Sequence, residues 1–158
     1  MLGRQIEEGR GKRTGRRVIS TDLNFKIEAS VEETATILGV EGMSIITYVA
    51  STKPDGSLEG EGGGVFSSAQ GDFVTWKGTG VGRFGEDGSI HYCGSLSFIT
   101  TSPKLMALNG IAGVFQWEID AQGNTHSQIW EMAPAGASES GSSARARERS
   151  ERLASVTA

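Results

Sequence analysis

Little in this chain supports covalent or charge-driven chemistry. Its single cysteine, Cys93, allows no internal disulfide, a usage that fits a reducing compartment. No apolar run approaches the roughly 20 residues that a membrane-spanning helix needs. Arg16-Arg17 precedes no apolar segment, so an export signal is not read there. A net charge of −4 gives no reason to expect nucleic acid. The basic stretch from Arg4 to Arg17 has no interleaved aromatic side chain on which a base could stack, and it reads as a solvated surface. The only histidines, His91 and His126, lack cysteine or carboxylate partners at ligand spacing, so they read as surface residues. The expectations are a cytoplasmic protein with no metal, no cofactor, and neither nucleic acid nor membrane as partner.

Glycine is what the chain has in plenty: 23 residues, about twice the average usage of roughly 7%, with no collagen period. It concentrates in Leu58–Phe84, LEGEGGGVFSSAQGDFVTWKGTGVGRF. Glycines hold every second position in both arms, Gly60, Gly62 and Gly64, then Gly78, Gly80 and Gly82. Side chains on a strand alternate between faces, so each set leaves one face bare. Glu59, Glu61, Lys77 and Arg83 occupy the opposite face, which belongs in water. The bare face therefore points inward. A three-residue loop at 70–72, with Gly71 left-handed, would pair Phe66 with Trp76, Gly64 with Gly78, Gly62 with Gly80 and Gly60 with Gly82. Ion pairs would then form outside. Gly80-Val81-Gly82-Arg83-Phe84-Gly85 matches GxGxxG, but it lies inside a strand and opens no helix, so no dinucleotide is read from it.

Around this hairpin the chain reads as strands joined by short turns. Residues 1–10 show no period and are expected to be a flexible arm. Leu23, Phe25, Ile27, Ala29 and Val31 alternate with polar residues as in a half-buried strand, which Glu33 interrupts. Ile90, Tyr92, Gly94, Leu96 and Phe98 share one face of a later strand, and Phe115, Trp117 and Ile119 share one face of another. Turns are expected near Gly56, Gly71, Gly88 and Gly123. Ser102-Pro103-Lys104-Leu105-Met106-Ala107-Leu108-Asn109-Gly110 is the one helical signal, with Ser102 as cap and Gly110 as terminator. Residues 134–158 lack aromatics and are expected to be a disordered tail. The prediction is an all-β domain over 11–133: an eight-stranded antiparallel meander barrel with one short helix before the last two strands.

A bare inward face has two explanations. It encloses a cavity for an apolar small molecule bounded by Phe66, Trp76, Tyr92, Phe98 and Trp117, or the opposite wall fills it. Candidates for chemistry are few. Tyr92 could donate a hydrogen bond to a ligand, and Glu118 or Glu131 would serve as a general acid or base if turned inward. Cys93 and His91 share a face without a third orienting group.

The segments GEGGGVF, WKGTGVGRF, HYCGSLSF, SPKLMALNG and VFQWEID together give a pattern that resembles the allene oxide cyclase-like and dirigent-like small barrels over residues 12–132. The resemblance carries no catalytic motif. It implies a barrel that takes an apolar substrate in its interior. Three functions follow as expectations: binding of an apolar small molecule; a cyclase or isomerase using the same cavity; or a packed structural barrel that self-associates into a homo-oligomer.

Overall fold

A computed structural model describes residues 2–132. Eight strands form one closed antiparallel barrel in chain order: β1 (Leu2–Ser20), β2 (Lys26–Ile37), β3 (Val40–Thr52), β4 (Leu58–Ser67), β5 (Phe73–Phe84), β6 (Ile90–Ile99), β7 (Ala112–Ile119) and β8 (Asn124–Met132). A 3₁₀ helix, Pro103–Gly110, links β6 to β7. The predicted meander and helix position are what the structure has. The tail over 134–158 lies outside the described residues.

Four hairpins share one turn. At each, a three-residue loop ends on a left-handed glycine, Gly56, Gly71, Gly88 or Gly123, with φ between 80° and 87°. In the first, Lys53 N–H donates to Ser57 O at 2.8 Å and Gly56 N–H donates to Lys53 O at 3.0 Å. This is the type I turn with a glycine bulge that three-residue hairpin loops favour. The β2–β3 connection is tighter. Leu38 and Gly39 both take positive φ, 46° and 79°, and Leu38 N–H donates across to Ile6 O at 2.9 Å.

The glycine hairpin differs from expectation by two residues of register. Its loop is 69–71 rather than 70–72, because Ser68 and Asp72 clamp together through backbone and side chains. Gly64 therefore faces Trp76, Gly62 faces Gly78, Gly60 faces Gly80 and Leu58 faces Gly82. A shift of two keeps every side chain on its expected face. It also undoes the expected ion pairs: Glu61 now faces Thr79 and Lys77 faces Gly63.

The shift lays aromatic rings over bare backbone. A Cβ at Gly64 would meet the Trp76 indole at 2.6 Å, and one at Gly82 would meet the Tyr92 ring at 2.5 Å. Gly82→Ala is expected to destabilise the fold by about 1–3 kcal/mol through overpacking. Gly15→Ala, whose Cβ would meet nothing within 4 Å, should be neutral or stabilise by up to about 1 kcal/mol. Urea unfolding of both variants checks the contrast.

Three expectations about the chain need correction. Residues 2–10 are not a flexible arm. They are barrel wall, paired to β8 from Leu2–Met132 to Lys12–Asn124 and to β2 from Glu7–Ile37 onward. Their inward positions carry Glu7 and Gly9, so no apolar alternation announced them. Leu23 and Phe25, expected on a buried face, lie before β2 and are exposed. Ser102 also departs from its expected role. It does not cap the helix; its hydroxyl bonds instead with the backbone of Phe73.

The core has two layers. Leu105 and Leu108 of the helix plug one end of the barrel against Phe66, Val74, Phe98 and Ile129. Val31, Ile46, Tyr48, Leu58, Tyr92 and Ile119 pack the other end. Trp76 and Phe115 touch both layers.

Candidate functional site

Between the two layers the barrel keeps a cavity of about 70 Å³, several times the roughly 10–15 Å³ that one water needs. Four of the six predicted glycines line it, Gly60, Gly62, Gly78 and Gly80, together with Trp76, Tyr92, Phe98 and Trp117. Gly64, Gly82 and Phe66 do not. The two glycines are covered by rings, and Phe66 is fully buried in the helix-end layer. Tyr48, Tyr92 and Trp117 cluster along one wall with ring centroids 5.0–6.0 Å apart, Tyr48 meeting both partners edge to face and Tyr92 tilted by 34° against Trp117.

Two carboxyl groups reach this interior, Glu7 from β1 and Glu33 from β2. Both are almost wholly buried, 5% and 1% exposed. Glu33 does not interrupt its strand, as the sequence suggested. The β2–β3 register runs without a bulge, so Glu33 simply takes the inward position between Val31 and Ala35. Its Oε1 accepts from Thr125 Oγ1 at 2.6 Å and Trp117 Nε1 at 2.9 Å; its Oε2 accepts from Ser127 Oγ at 2.7 Å. Acceptance from three donors is the pattern of an ionised carboxylate.

Ser127 also lies 3.1 Å from Glu7 Oε1. A hydroxyl has one proton, so it cannot donate to both carboxyls. The shorter contact takes it, and the longer one is satisfied when Glu7 is protonated and donates to Ser127. Burial, and next the Glu33 charge, push the Glu7 carboxyl up from 4.5 to about 8, against the lowering effect of Ser127; Glu8 adds a smaller upward push. The result is a chain from the Glu7 acid through Ser127 to the Glu33 carboxylate. Gly9 makes room for it. A Cβ there would stand 2.6 Å from Ser127 Oγ, 2.7 Å from Glu33 Oε2 and 2.8 Å from Glu7 Oε1. Glu7 Oε2 is left buried with no hydrogen-bond partner.

The remaining candidates fall elsewhere. Tyr92 lies in the cavity wall, and burial, then Tyr48, push its hydroxyl above the ordinary tyrosine range. Glu118 and Glu131 are not inward acids. Glu118 is exposed with its carboxylate 4.0 Å from His91 Nδ1, and Glu131 reaches Arg4 Nε at 3.3 Å. Cys93 is exposed. His126 meets Glu8 at 2.9 Å.

Ser89, His91 and Glu118 have the outline of a nucleophilic triad, with Ser89 Oγ 2.9 Å from His91 Nε2. Yet Ser89 also meets Asp87 Oδ1 at 2.5 Å and is 1% exposed. Its one proton goes to that carboxylate, so the histidine faces a hydroxyl with no proton left to give. The same Asp–Gly–Ser contact recurs at Asp55–Ser57, which marks it as turn chemistry. Among the described residues no group of three His, Cys, Asp or Glu could hold a metal ion. No helix among them is long and apolar enough to cross a membrane.

Glu7, Glu33, Thr125 and Ser127 were not among the sequence candidates. The available signal was parity: Thr125, Ser127 and Ile129 alternate with Asn124, His126 and Gln128.

No family model and no curated protein matches the sequence. Solved structures do match in fold. A protein of unknown function from Clostridium acetobutylicum ATCC 824 superposes with a TM-score of 0.73 at 11% identity, over 84% of this chain and 98% of its own. A conserved protein of unknown function from Rhodopseudomonas palustris gives 0.68 at 13%, over 84% and 99%. A β-barrel-like protein from Acinetobacter baumannii AYE gives 0.69 at 10%, over 84% and 96%. At such identities the likeness is one of fold: this chain is a small β-barrel similar to barrels of unknown function.

Proposed function

We propose that the barrel binds a small, largely apolar organic molecule between its two core layers, with one polar group of the ligand meeting Glu7. The observation that carries this reading is Glu7 Oε2, a buried carboxyl oxygen without a partner beside an aromatic-lined cavity. Buried polar atoms are normally hydrogen-bonded, and a lone exception points to a missing partner. The resemblance to allene oxide cyclase-like and dirigent-like barrels, which take apolar substrates inside, agrees with it. Trp76 and Trp117 both line the cavity, so occupancy should change tryptophan fluorescence. Ser44→Leu, which adds bulk from a buried lining position on β3, is expected to weaken the response to benzyl alcohol at least about tenfold, the scale of a filled pocket. An unchanged response in a folded variant would count against interior binding.

A second reading, a cyclase or isomerase in the same cavity, is favoured by the carboxyl pair. A Glu7 group titrating near neutrality, joined to Glu33 through Ser127, suits general acid–base work. Chemical conversion of a bound ligand, lost in Glu7→Gln while binding persists, is the result that would select it.

A further inference from the structure

We infer that the ligand class is a small organic amine bound as its cation, with the ammonium group on Glu7 Oε2 and the aromatic walls around it. This rests on the reading that the interior is a ligand site, and it deepens that reading by naming the ligand's charge. Three observations lead there.

The first is the charge of the lining. It contains Glu7, Glu33 and, at its edge, Glu61, and it contains no lysine, arginine or histidine. The Glu33 carboxylate is held by dipoles alone, from Thr125, Trp117 and Ser127. An anionic ligand would add to this uncompensated charge, whereas a cation offsets it. The second is the polar complement. Both Glu33 oxygens have donors, so the unpartnered polar atom is an acceptor, Glu7 Oε2. The ligand must bring a donor. The third is the wall. Tyr48, Trp76, Tyr92, Phe98, Phe115 and Trp117 all face the cavity. Aromatic faces attract cations, tryptophan most strongly, and more so where water is excluded. A neutral alcohol would use the acceptor but gain nothing from the charge or the rings.

Binding then carries a proton signature. An opposite charge within hydrogen-bond reach favours the ionised carboxylate. The Glu7 proton leaves to solvent as the ammonium arrives, giving a carboxylate–ammonium pair plus one released proton. The groups facing Glu7 act in both directions: the Glu33 charge, and more weakly Glu8, hold its proton on, Ser127 favours the carboxylate, and the arriving ammonium offsets the Glu33 charge. Glu33 faces it from β2, Ser127 from β8, and Glu8 is next along β1 with its carboxylate turned out to His126. Across the cavity, burial holds Tyr48 and Tyr92 neutral well above this range, with Arg13 beside Tyr48. With the Glu7 carboxyl pushed up to about 8, amine affinity should climb about tenfold per unit as the pH rises toward that value, level off beyond it, and fall once the amine loses its own proton.

The test is calorimetry of the full chain with benzylamine, benzyl alcohol, toluene and benzoate, in buffers of differing ionisation enthalpy. The expected result at pH 7 is benzylamine at least about tenfold tighter than the other three, with close to one proton released. Equal or tighter binding of benzyl alcohol, toluene or benzoate would overturn the cation assignment and leave the ligand site standing. Binding of none of the four would remove the ligand site itself. Glu7→Gln, if folded, should bring benzylamine down to the level of benzyl alcohol and abolish its pH dependence. Should that variant not fold, the pH dependence of the native chain decides alone.

Discussion

Raising the pH from 5 to 8.5 should cost the ligand-free barrel on the order of 3–5 kcal/mol of stability, and Glu7→Gln should abolish most of that loss. The folded barrel holds the Glu7 proton up to about pH 8, whereas the ordinary glutamate value is 4.5. Between these values the native state binds more protons than the unfolded chain, so stability falls as pH rises. The contribution is complete below about 4.5 and is lost as pH rises through 8. Gln keeps the shape of the acid form and has no proton to lose. Urea unfolding at several pH values reads the effect directly; parallel slopes for the two proteins would refute the assignment. Below pH 4 a different trend takes over. Asp55, Asp87 and Asp120 are held below the ordinary aspartate value by hydrogen bonds within their turns. Protonating them removes that stabilisation, so the stability maximum should lie on the acid side of neutral.

Glu33→Leu should be the most damaging single change in the interior, at about 3–5 kcal/mol. It leaves the Trp117 indole N–H and the Thr125 hydroxyl without their acceptor in a site that is 1% exposed, and Ser127 with Glu7 alone. Glu33→Gln should be milder. Its carbonyl oxygen can still accept from Trp117 and Thr125, and Ser127 can turn its proton toward Glu7. Removing the Glu33 charge should also lower the Glu7 value, because that charge is the second cause of its elevation. Denaturation midpoints order the two variants, and the Trp117 indole proton, followed by hydrogen exchange, reports whether its bond survives. Equal losses in both would mean that packing, not hydrogen bonding, holds Glu33 in place.

The wall of this barrel was legible because apolar alternation and turn glycines speak locally. Phe98, Trp117 and Tyr92 stand on the faces their strands predicted, and all four expected turn glycines are left-handed. The register of the glycine hairpin was not legible, since a Ser68–Asp72 clamp decides it by side-chain hydrogen bonds. The site itself lay hidden for a related reason. A strand whose inward positions read Glu7 and Gly9 has no apolar period, and only closure against β2 and β8 shows that those positions face inward. The carboxyls meet there from distant parts of the chain, and no short motif records such a meeting.

Every strand neighbour but one follows the other directly in sequence, and β1 with β8 is the exception. Hairpins can zip in succession, whereas joining β1 to β8 must close nearly the whole chain into a ring, the step that loop entropy slows most. Glu7 and Glu33 reach Ser127 across that junction, from the two strands on its near side to the one on its far side. The interior acid pair is thus also a clasp. Its protonation state should set how firmly the ring stays shut, and a cation that displaces the Glu7 proton to solvent would reach the fastening of the barrel as well as its contents.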